Sequence, residues 1–403
     1  MPLGMAPRRG HLRGVMESPE QQLRIEIARG VAGIAAADWD SCAGPDNPFV
    51  SHAFFTCVEA SGCASDQTGW APHHLVLRDG ATVAGILPLY LKNHSRGEYV
   101  FDQGWAQALE RAGGRYYPKL QSAVPFTPVT GPRFLVAPAF DRAVVERLLA
   151  RAAVDIAEGN NIATLHITFP TEGEWQRLGA EGFLQRTDRQ FHWDNQGYGS
   201  FDDFLAALAS RKRKQIRKER REAVEGNGIE IHALTGDALR PEHWAAFEHC
   251  YLATGAVKWG TPYLNSDFFR RLHETMRDRV LLVMARRAGR WIAGALNLIG
   301  TDTLYGRNWG CIEDHPCLHF EVCYYQAIDF AIARGLTRVE AGAQGEHKLA
   351  RGYVPRETYS LHWIGDPGFR RAVDDYLRRE REAVAAEADE LADHAPYRHE
   401  EGR

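Results

Sequence analysis

Val83-Ala-Gly-Ile-Leu-Pro-Leu89 reads as an apolar strand entered from the turn Asp79-Gly80. The same script returns as Ile292-Ala-Gly-Ala-Leu-Asn-Leu298, entered from Ala288-Gly289. A second pair follows in the same order. Ile156-Ala-Glu-Gly159 and Ile332-Ala-Arg-Gly335 both read as helix ends, with glycine where a left-handed C-cap would sit. The strand signatures stand 209 positions apart and the helix ends 176, so the first copy holds 33 extra residues between its landmarks. Agreement in order and element type makes this a duplicated α/β unit. A duplication of this kind places the working site in the cleft between its halves.

The bulk numbers fit two domains. At 403 residues the chain exceeds the size at which one core stops growing. Its 44% hydrophobic and 25% charged content are those of a soluble globular protein. A net charge of −4 excludes a globally basic nucleic-acid binder but allows local basic patches. No apolar run approaches the ~20 residues of a membrane span, and the N-terminus lacks the apolar core of a secretory signal. The chain is therefore expected in the cytoplasm. Its seven cysteines read as reduced thiols.

Along its length the chain divides into a disordered tail (1–22), a first domain (23–197), a basic helix (198–226), a second domain (227–380) and a charged tail (381–403). In the first domain, residues 24–34 alternate like a strand, 73–92 make strand, turn and strand, and 98–104 make another strand. Segment 103–136 is dense in proline, glycine and aromatics and matches the 33-residue excess. Long irregular segments of this kind are usually functional. A helix over 142–158, a strand over 163–170 and a closing strand over 184–195 complete the unit. Ser200 opens, and Gly226 stops, one long helix. The second half then replays the order: a strand at 228–236, two helices, three meandering strands, a helix at 319–334, a strand at 338–342 and a last strand at 358–365.

Strand, two helices, three meandering strands, helix, strand, closing strand resembles the GNAT acyltransferase domain. Two such units in tandem resemble the Fem-type peptidoglycan peptidyltransferases. FLAALASRKRKQIRKERREAVEGNGIEI (204–231) is similar to the Fem-type basic helix followed by a Gly-Ile-x-Ile strand. Residues 103–133, QFHWDNQGY (190–198) and 318–353 resemble a bacterial GNAT-like group known as peptidoglycan biosynthesis or recognition proteins. The resemblance implies a mixed α/β fold of two tandem GNAT-like domains, each a mixed central sheet flanked by helices. It also implies an N-acyltransferase whose site opens where the fourth and fifth strands splay. The donor is acyl-CoA or aminoacyl-tRNA. An acetyl-CoA binder carries a glycine-rich loop before the helix at 319, whereas this chain reads CIEDHPCLHFE (311–321) with no glycine. Fem-type enzymes use aminoacyl-tRNA and also lack that loop. An acetyltransferase of a small amine and a non-catalytic module binding cell-wall precursor or RNA remain the alternatives.

The topology implied by the resemblance puts the second-domain site among Arg307 and Trp309, His319 and Glu321, and the run from Glu340 through Gln344. Acyl transfer to an amine needs a proton acceptor, oxyanion donors and alignment. Glu340 lies on a short apolar strand, where a carboxylate must be paired or functional. Glu346, His347 and Lys348 follow in a glycine-rich turn. Glu340, His347 and Glu346 are the candidate catalytic residues; Arg307, Gln344 and Lys348 are candidates for holding donor or oxyanion. Lys258, beside a tryptophan in an irregular link, is a candidate for a carboxylate or phosphate, or a snorkelling side chain. In the first domain Asp102, Gln103, Lys119 and Gln121 are candidates for a sugar or peptide wall with neighbouring aromatics. Between 211 and 221 stand eight basic residues and one acid, Glu219. Arg211, Lys212, Arg213, Lys214, Arg217 and Lys218 form an anion-binding candidate for tRNA or an anionic membrane. With no base-reading pattern, sequence-specific DNA is not expected. Cys311, His315, Cys317, His319 and Cys323 match no standard zinc spacing, so no metal is expected. Oligomeric state is not legible here.

Overall fold

The structure, a computed structural model, describes residues 23–258, 262–342, 345–393 and 396–397. The tail expected over 1–22 lies outside them. The first half carries β1 (Leu23–Ala28), α1 (Ala36–Ala43), α2 (His52–Ala60), β2 (Trp70–Pro72), β3 (His74–Asp79), β4 (Thr82–Leu87), β5 (Tyr90–Lys92), α3 (Gln103–Arg111), β6 (Lys119–Ser122), β7 (Leu135–Val136), α4 (Arg142–Gly159), β8 (Thr164–Thr168), α5 (Glu172–Ala180) and β9 (Leu184–Asp194). Then come α6 (Phe201–Ala207) and α7 (Ser210–Val224). The second half carries β10 (Ile229–Leu234), α8 (Pro241–Lys258), α9 (Ser266–Met276), β11 (Val280–Arg287), β12 (Arg290–Ile299), β13 (Thr303–Cys311), α10 (Leu318–Phe320), α11 (Gln326–Arg334), β14 (Arg338–Glu340), β15 (Val354–Ile364) and α12 (Pro367–Asp393).

The fold is mixed α/β, two GNAT-like units in tandem. Each half opens with a strand and a helical pair and then meanders. β11, β12 and β13 pair antiparallel in sequence; β13 then runs parallel to β14, with α10 and α11 making the crossover. In the first half β6 runs parallel to β8 across α4. The repeated signatures sit in β4 and β12, the same strand of each half. Residue for residue they are out of step. A side chain at Gly85 would strike Val145 of α4, whereas one at Gly294 would strike Met284 and Phe247 of α8. The two glycines face opposite layers, so the match marks the element and not the position.

The last strand of each half crosses over. β9 pairs with β14 and β15 of the second half, and β15 pairs with β8 of the first. One 11-stranded sheet therefore runs through both halves, in the order β10-β11-β12-β13-β14-β9-β15-β8-β6-β5-β2. β1, β3, β4 and β7 form a separate 4-stranded sheet, because Pro88 interrupts the strand between β4 and β5. One core is common to both halves: Trp39, Phe54 and Phe55 from α1 and α2 meet Phe247, Phe268 and Phe269 from α8 and α9.

Several sequence expectations need correction. Segment 103–136 is not an addition to the sheet but holds β6, one of its interior strands. No strand forms over 98–104, because Glu98 and Asp102 turn inward to meet Lys119. The helix expected over Ser200–Gly226 is two. It breaks at Leu208, whose extended backbone bridges to Tyr397, while Ala209 N–H donates to the Pro396 carbonyl. The boundary at 380 falls inside α12, which ion pairs Arg186–Glu380 and Arg189–Glu387 bind along β9.

Candidate active site between the two halves

β13 and β14 stay paired only from Thr303↔Arg338 to Tyr305↔Glu340. β14 ends there, while β13 continues to Cys311, so a gap opens beside Gly306-Arg307-Asn308. The next residue row crosses three strands. Tyr305 is abreast of Glu340, and Glu340 is abreast of His192 on β9. Residues opposite one another share a face, and Arg307, the extra residue of a bulge in β13 against β12, turns to it too, over the Tyr305 ring and onto Glu340.

Arg307 Nη2 donates to Glu340 Oε2 at 3.0 Å and Nη1 to the Gly306 carbonyl at 2.8 Å. Both side chains of this pair are about 95% buried. The guanidinium carbon lies 5.1 Å from the Phe49 ring of the first half and 5.4 Å from Tyr305. Arg307 Nε has no partner among the described residues. Arg307 and Asn308 line a narrow cavity with Phe49, Phe54 and Pro125–Thr127 of the first half and Leu264, Phe268, Leu296 and Leu298 of the second. Phe126 spans this cleft, its ring stacked 5.0 Å from that of Tyr263. Phe126 and Tyr99 hold left-handed backbone, φ 63° and 60°. Aromatic residues adopt that region at a cost of order 1–3 kcal/mol, and such strain gathers at working sites.

A second group lies outside this pair. Trp309 and His319 stand 5.2 Å apart, His319 and His347 6.0 Å, and Phe320 and His347 5.7 Å. Tyr324 Oη is 3.0 Å from His347 Nε2. Burial, with Arg351 and Lys348 nearby, lowers the His347 pKa and favours the neutral ring. Between α10 and α11 the helix widens into a π-turn over Glu321–Tyr325, a feature frequent at functional sites. Arg351 closes the group, lying 3.3 Å over the Phe320 ring.

The sequence candidates therefore separate. Arg307 and Glu340 meet at the cleft floor; Trp309, His319 and His347 form the aromatic group outside it. Lys348 turns to the backbone instead, donating to the Ala341 and Gly342 carbonyls at 2.5 and 3.0 Å. Burial pushes its pKa down to about 8. Glu321 is held by Arg220 of α7 at 2.9 Å. Gln344 and the side chains of Glu346 and Lys258 lie outside the described residues.

Of the four first-domain wall candidates, Asp102, Lys119 and Gln121 are sealed inside the protein, whereas Gln103 is exposed. Lys119 Nζ lies 2.6 Å from Glu98, 2.5 Å from Asp102 and 2.9 Å from Ser95 Oγ. Lys92 reaches Glu98 at 3.3 Å and covers the Trp70 ring. Two basic and two acidic groups thus face one another, with burial pushing the Lys92 pKa down to about 7. Burial opposes the Asp102 charge, but Lys119 outweighs it and holds the carboxyl below its usual range. Tyr116 donates to Asp102, and His166 continues the network to His362 through a 2.7 Å Nδ1–Nδ1 contact. Gln121 is fully buried on Thr168; Gln103 reaches only the Ser95 carbonyl. A charged sequence cluster became a neutralised core because its acids and lysines arrive from one compact segment.

On α7, Ile216, Glu219 and Ala223 face inward. Glu219 accepts from Arg351 at 2.9 Å and from Tyr325, so the one acid of the run neutralises nothing on the outer face. Arg217 pairs with Asp202 at 2.9 Å. Arg211, Lys212, Arg213, Lys214 and Lys218 make no ion pair with a described residue. Among the described residues no group of three metal-ligating side chains converges, and all seven cysteines are free thiols.

Sequence reasoning missed His192, Phe49 and Phe126. Their one signal was His192, a polar residue in the otherwise apolar run Phe191-His-Trp193.

No curated protein matches the chain. Among solved structures, FemX superposes with a TM-score of 0.54 at 12% identity, over 85% of this chain and 98% of that one. A conserved protein of unknown function from Bacteroides thetaiotaomicron gives 0.51 at 12%, over 85% and 100%. At these identities the likeness is one of fold. A family profile described as peptidoglycan biosynthesis/recognition matches residues 30–399. That span takes in both halves, the exchanged strands and the cleft, and the chain belongs to the FemAB-like family.

Proposed function

We propose that the protein is an N-acyltransferase that moves an acyl or aminoacyl group onto an amine of a peptidoglycan precursor or peptide. The carrying observation is the buried Arg307–Glu340 pair on the floor of an aromatic-walled cleft, where β13 and β14 part. In this reading the donor carbonyl lies against the guanidinium. Nε, the guanidinium nitrogen left unbonded, would stabilise the oxyanion of the tetrahedral intermediate, while Glu340 Oε1, which Arg307 leaves open, orients the attacking amine. The amine attacks directly, so no covalent enzyme intermediate is required.

Aminoacyl-tRNA is the favoured donor. Glu219 and Arg351 join α7 to the aromatic group, so an outward basic face runs up to a set of rings at the cleft mouth. Basic track plus stacking rings is the physical pattern of single-stranded nucleic-acid binding. The loop before α10 has no glycine for close pyrophosphate approach, which disfavours acyl-CoA.

Donor identification tests the reading. Thermal shifts would be measured with acyl-CoAs, aminoacyl-tRNA and UDP-muramyl peptides. A ligand at 100 times its dissociation constant adds about 2.7 kcal/mol. Stabilisation by aminoacyl-tRNA and a UDP-muramyl peptide, followed by product amide, is expected. Stabilisation by acetyl-CoA alone would transfer the site to acetyl donors. Binding of precursor without turnover of any donor would make the protein a recognition module.

A further inference from the structure

We propose that His192, delivered by the exchanged strand β9 of the first half, is the proton acceptor of the reaction at the Arg307–Glu340 site. This assignment rests on the acyl-transfer reading above.

The placement follows from register. His192 is directly opposite Glu340 on β14 and opposite Val354 on β15. Its own face of β9 also carries Gln190, whose Nε2 donates to the Pro128 carbonyl. Pro128 follows Pro125–Thr127, the stretch lining the cavity above Arg307. The imidazole therefore shares a layer with the cleft and with the ion pair. The opposite face of β9 is different: Phe191 and Trp193 pack into the apolar core of the second half.

His192 is 5% exposed, and neither Nδ1 nor Nε2 has a hydrogen-bond partner among the described residues. Buried polar groups are nearly always bonded, so an imidazole idle at both nitrogens calls for an occupant. Three other buried polar atoms are also without a partner among the described residues: Gln190 Oε1 on the same face of β9, and Thr127 Oγ1 and Arg307 Nε on residues that line the cavity. They include both donors and acceptors, which suits the polar centre of an amide-forming reaction better than a simple anion. The charged groups around His192 are Glu340 and Arg338 on β14, Asp194 on its own strand and Arg307 on β13. Burial dominates and lowers its pKa, with the arginines acting in the same direction and the carboxylates against it. A neutral ring at pH 7 is the form a base needs.

The step balances. The acceptor amine attacks the donor carbonyl, forming the C–N bond, and the carbonyl oxygen takes the charge beside Arg307. The nitrogen proton passes to an open ring nitrogen of His192. Collapse breaks the C–O bond of an aminoacyl ester, and the imidazolium returns the proton to the departing oxygen.

Turnover of full-length wild-type protein, H192Q and H192A would be measured against pH, with aminoacyl-tRNA as donor and a UDP-muramyl peptide as acceptor. Wild-type kcat/KM should fall with decreasing pH through a pKa below 6.5. H192Q should lose about 10²–10⁴-fold in kcat, lose that acid limb and keep donor affinity. Added imidazole should partly restore H192A. Wild-type rate and acid limb in H192Q would overturn the assignment. Should H192Q fail to fold, imidazole rescue of H192A decides, and absence of rescue in folded H192A counts against the proposal. Absence of turnover in the wild type with every donor is a separate result, and refutes the acyl-transfer reading itself.

Discussion

At the scale of single residues, the protein separates two uses of buried charge. Around Lys119 every charge has its counter-charge, and the network is structural. Breaking it is expected to be costly: Lys119→Met leaves Asp102 and Glu98 with fewer cations, and about 3–5 kcal/mol should be lost in urea unfolding. Turnover per folded molecule should stay near wild type. At Arg307 the pattern differs, because one guanidinium nitrogen and one carboxylate oxygen remain available. Arg307→Gln strands Glu340 in the interior and should reduce both stability and turnover. Adding Glu340→Gln removes the stranded charge, so R307Q/E340Q should regain stability while turnover stays down by about 10²–10³-fold. Recovery of activity in the double variant would show that the pair only holds the strands together. The histidine pair predicts a pH effect. Burial lowers the His166 pKa to about 3, and lowers His362 well below its usual value, with His166 also acting on it. Both stay neutral when folded while the unfolded chain protonates near pH 6.5. Their stabilisation is therefore complete above about pH 6.5 and is lost as pH falls below it, at up to about 1.4 kcal/mol per pH unit for each ring. Urea midpoints at pH 7.5 and 5.5 should show the loss, and His166→Asn should flatten it.

At the scale of elements, α7 is two-sided. Its inner face is stitched to the second half by Arg220 to Glu321 and Asp329, and by Glu219 to Arg351. Its outer face is cationic, with only Arg217 ion-paired among the described residues. Reversing Lys212, Lys214 and Lys218 to glutamate should change stability by less than about 0.5 kcal/mol. It should weaken tRNA binding severalfold or more at ~50 mM salt and flatten the salt dependence. Unchanged affinity in a filter-binding or anisotropy titration would reduce α7 to a strut. That face was legible in the sequence, because eight cations in eleven residues cannot be neutralised by one acid. The break at Leu208 was not legible, since it depends on Tyr397, almost two hundred residues away. The segment over 103–136 was recognised as unusual for its aromatics, yet read as an addition. Nothing local distinguishes Lys119–Ser122 from a loop, because its strand character is supplied by β5 and β8 on either side.

At the scale of the whole molecule, the halves are interlocked by two exchanged strands and one shared core. A first half ending near residue 226 would lose β15 beside β8, and its β9 would be left without β14 and β15. Residues 23–226 expressed alone should remain unfolded or aggregate, as unpaired strand edges do. Co-expression with 227–403 should recover soluble complex. A cooperative, monomeric unfolding transition in the isolated first half would contradict this interdependence. The repeated apolar signatures, the helix-ending glycines and the order of elements determined the tandem α/β fold, because hydrophobic period and glycine conformation act over a few residues and survive in the local pattern. The same logic marked Arg307, Trp309, Glu340 and His347 as a segment-level site. Tertiary structure alone decided which of them share a cavity, that Lys348 serves the backbone and that Asp102 and Lys119 are core. It also decided that His192 of the first half stands opposite Glu340 of the second. The last of these depends on strand pairing between residues more than a hundred positions apart, and all depend on how whole layers pack and set register, which leaves no mark in any short stretch of sequence.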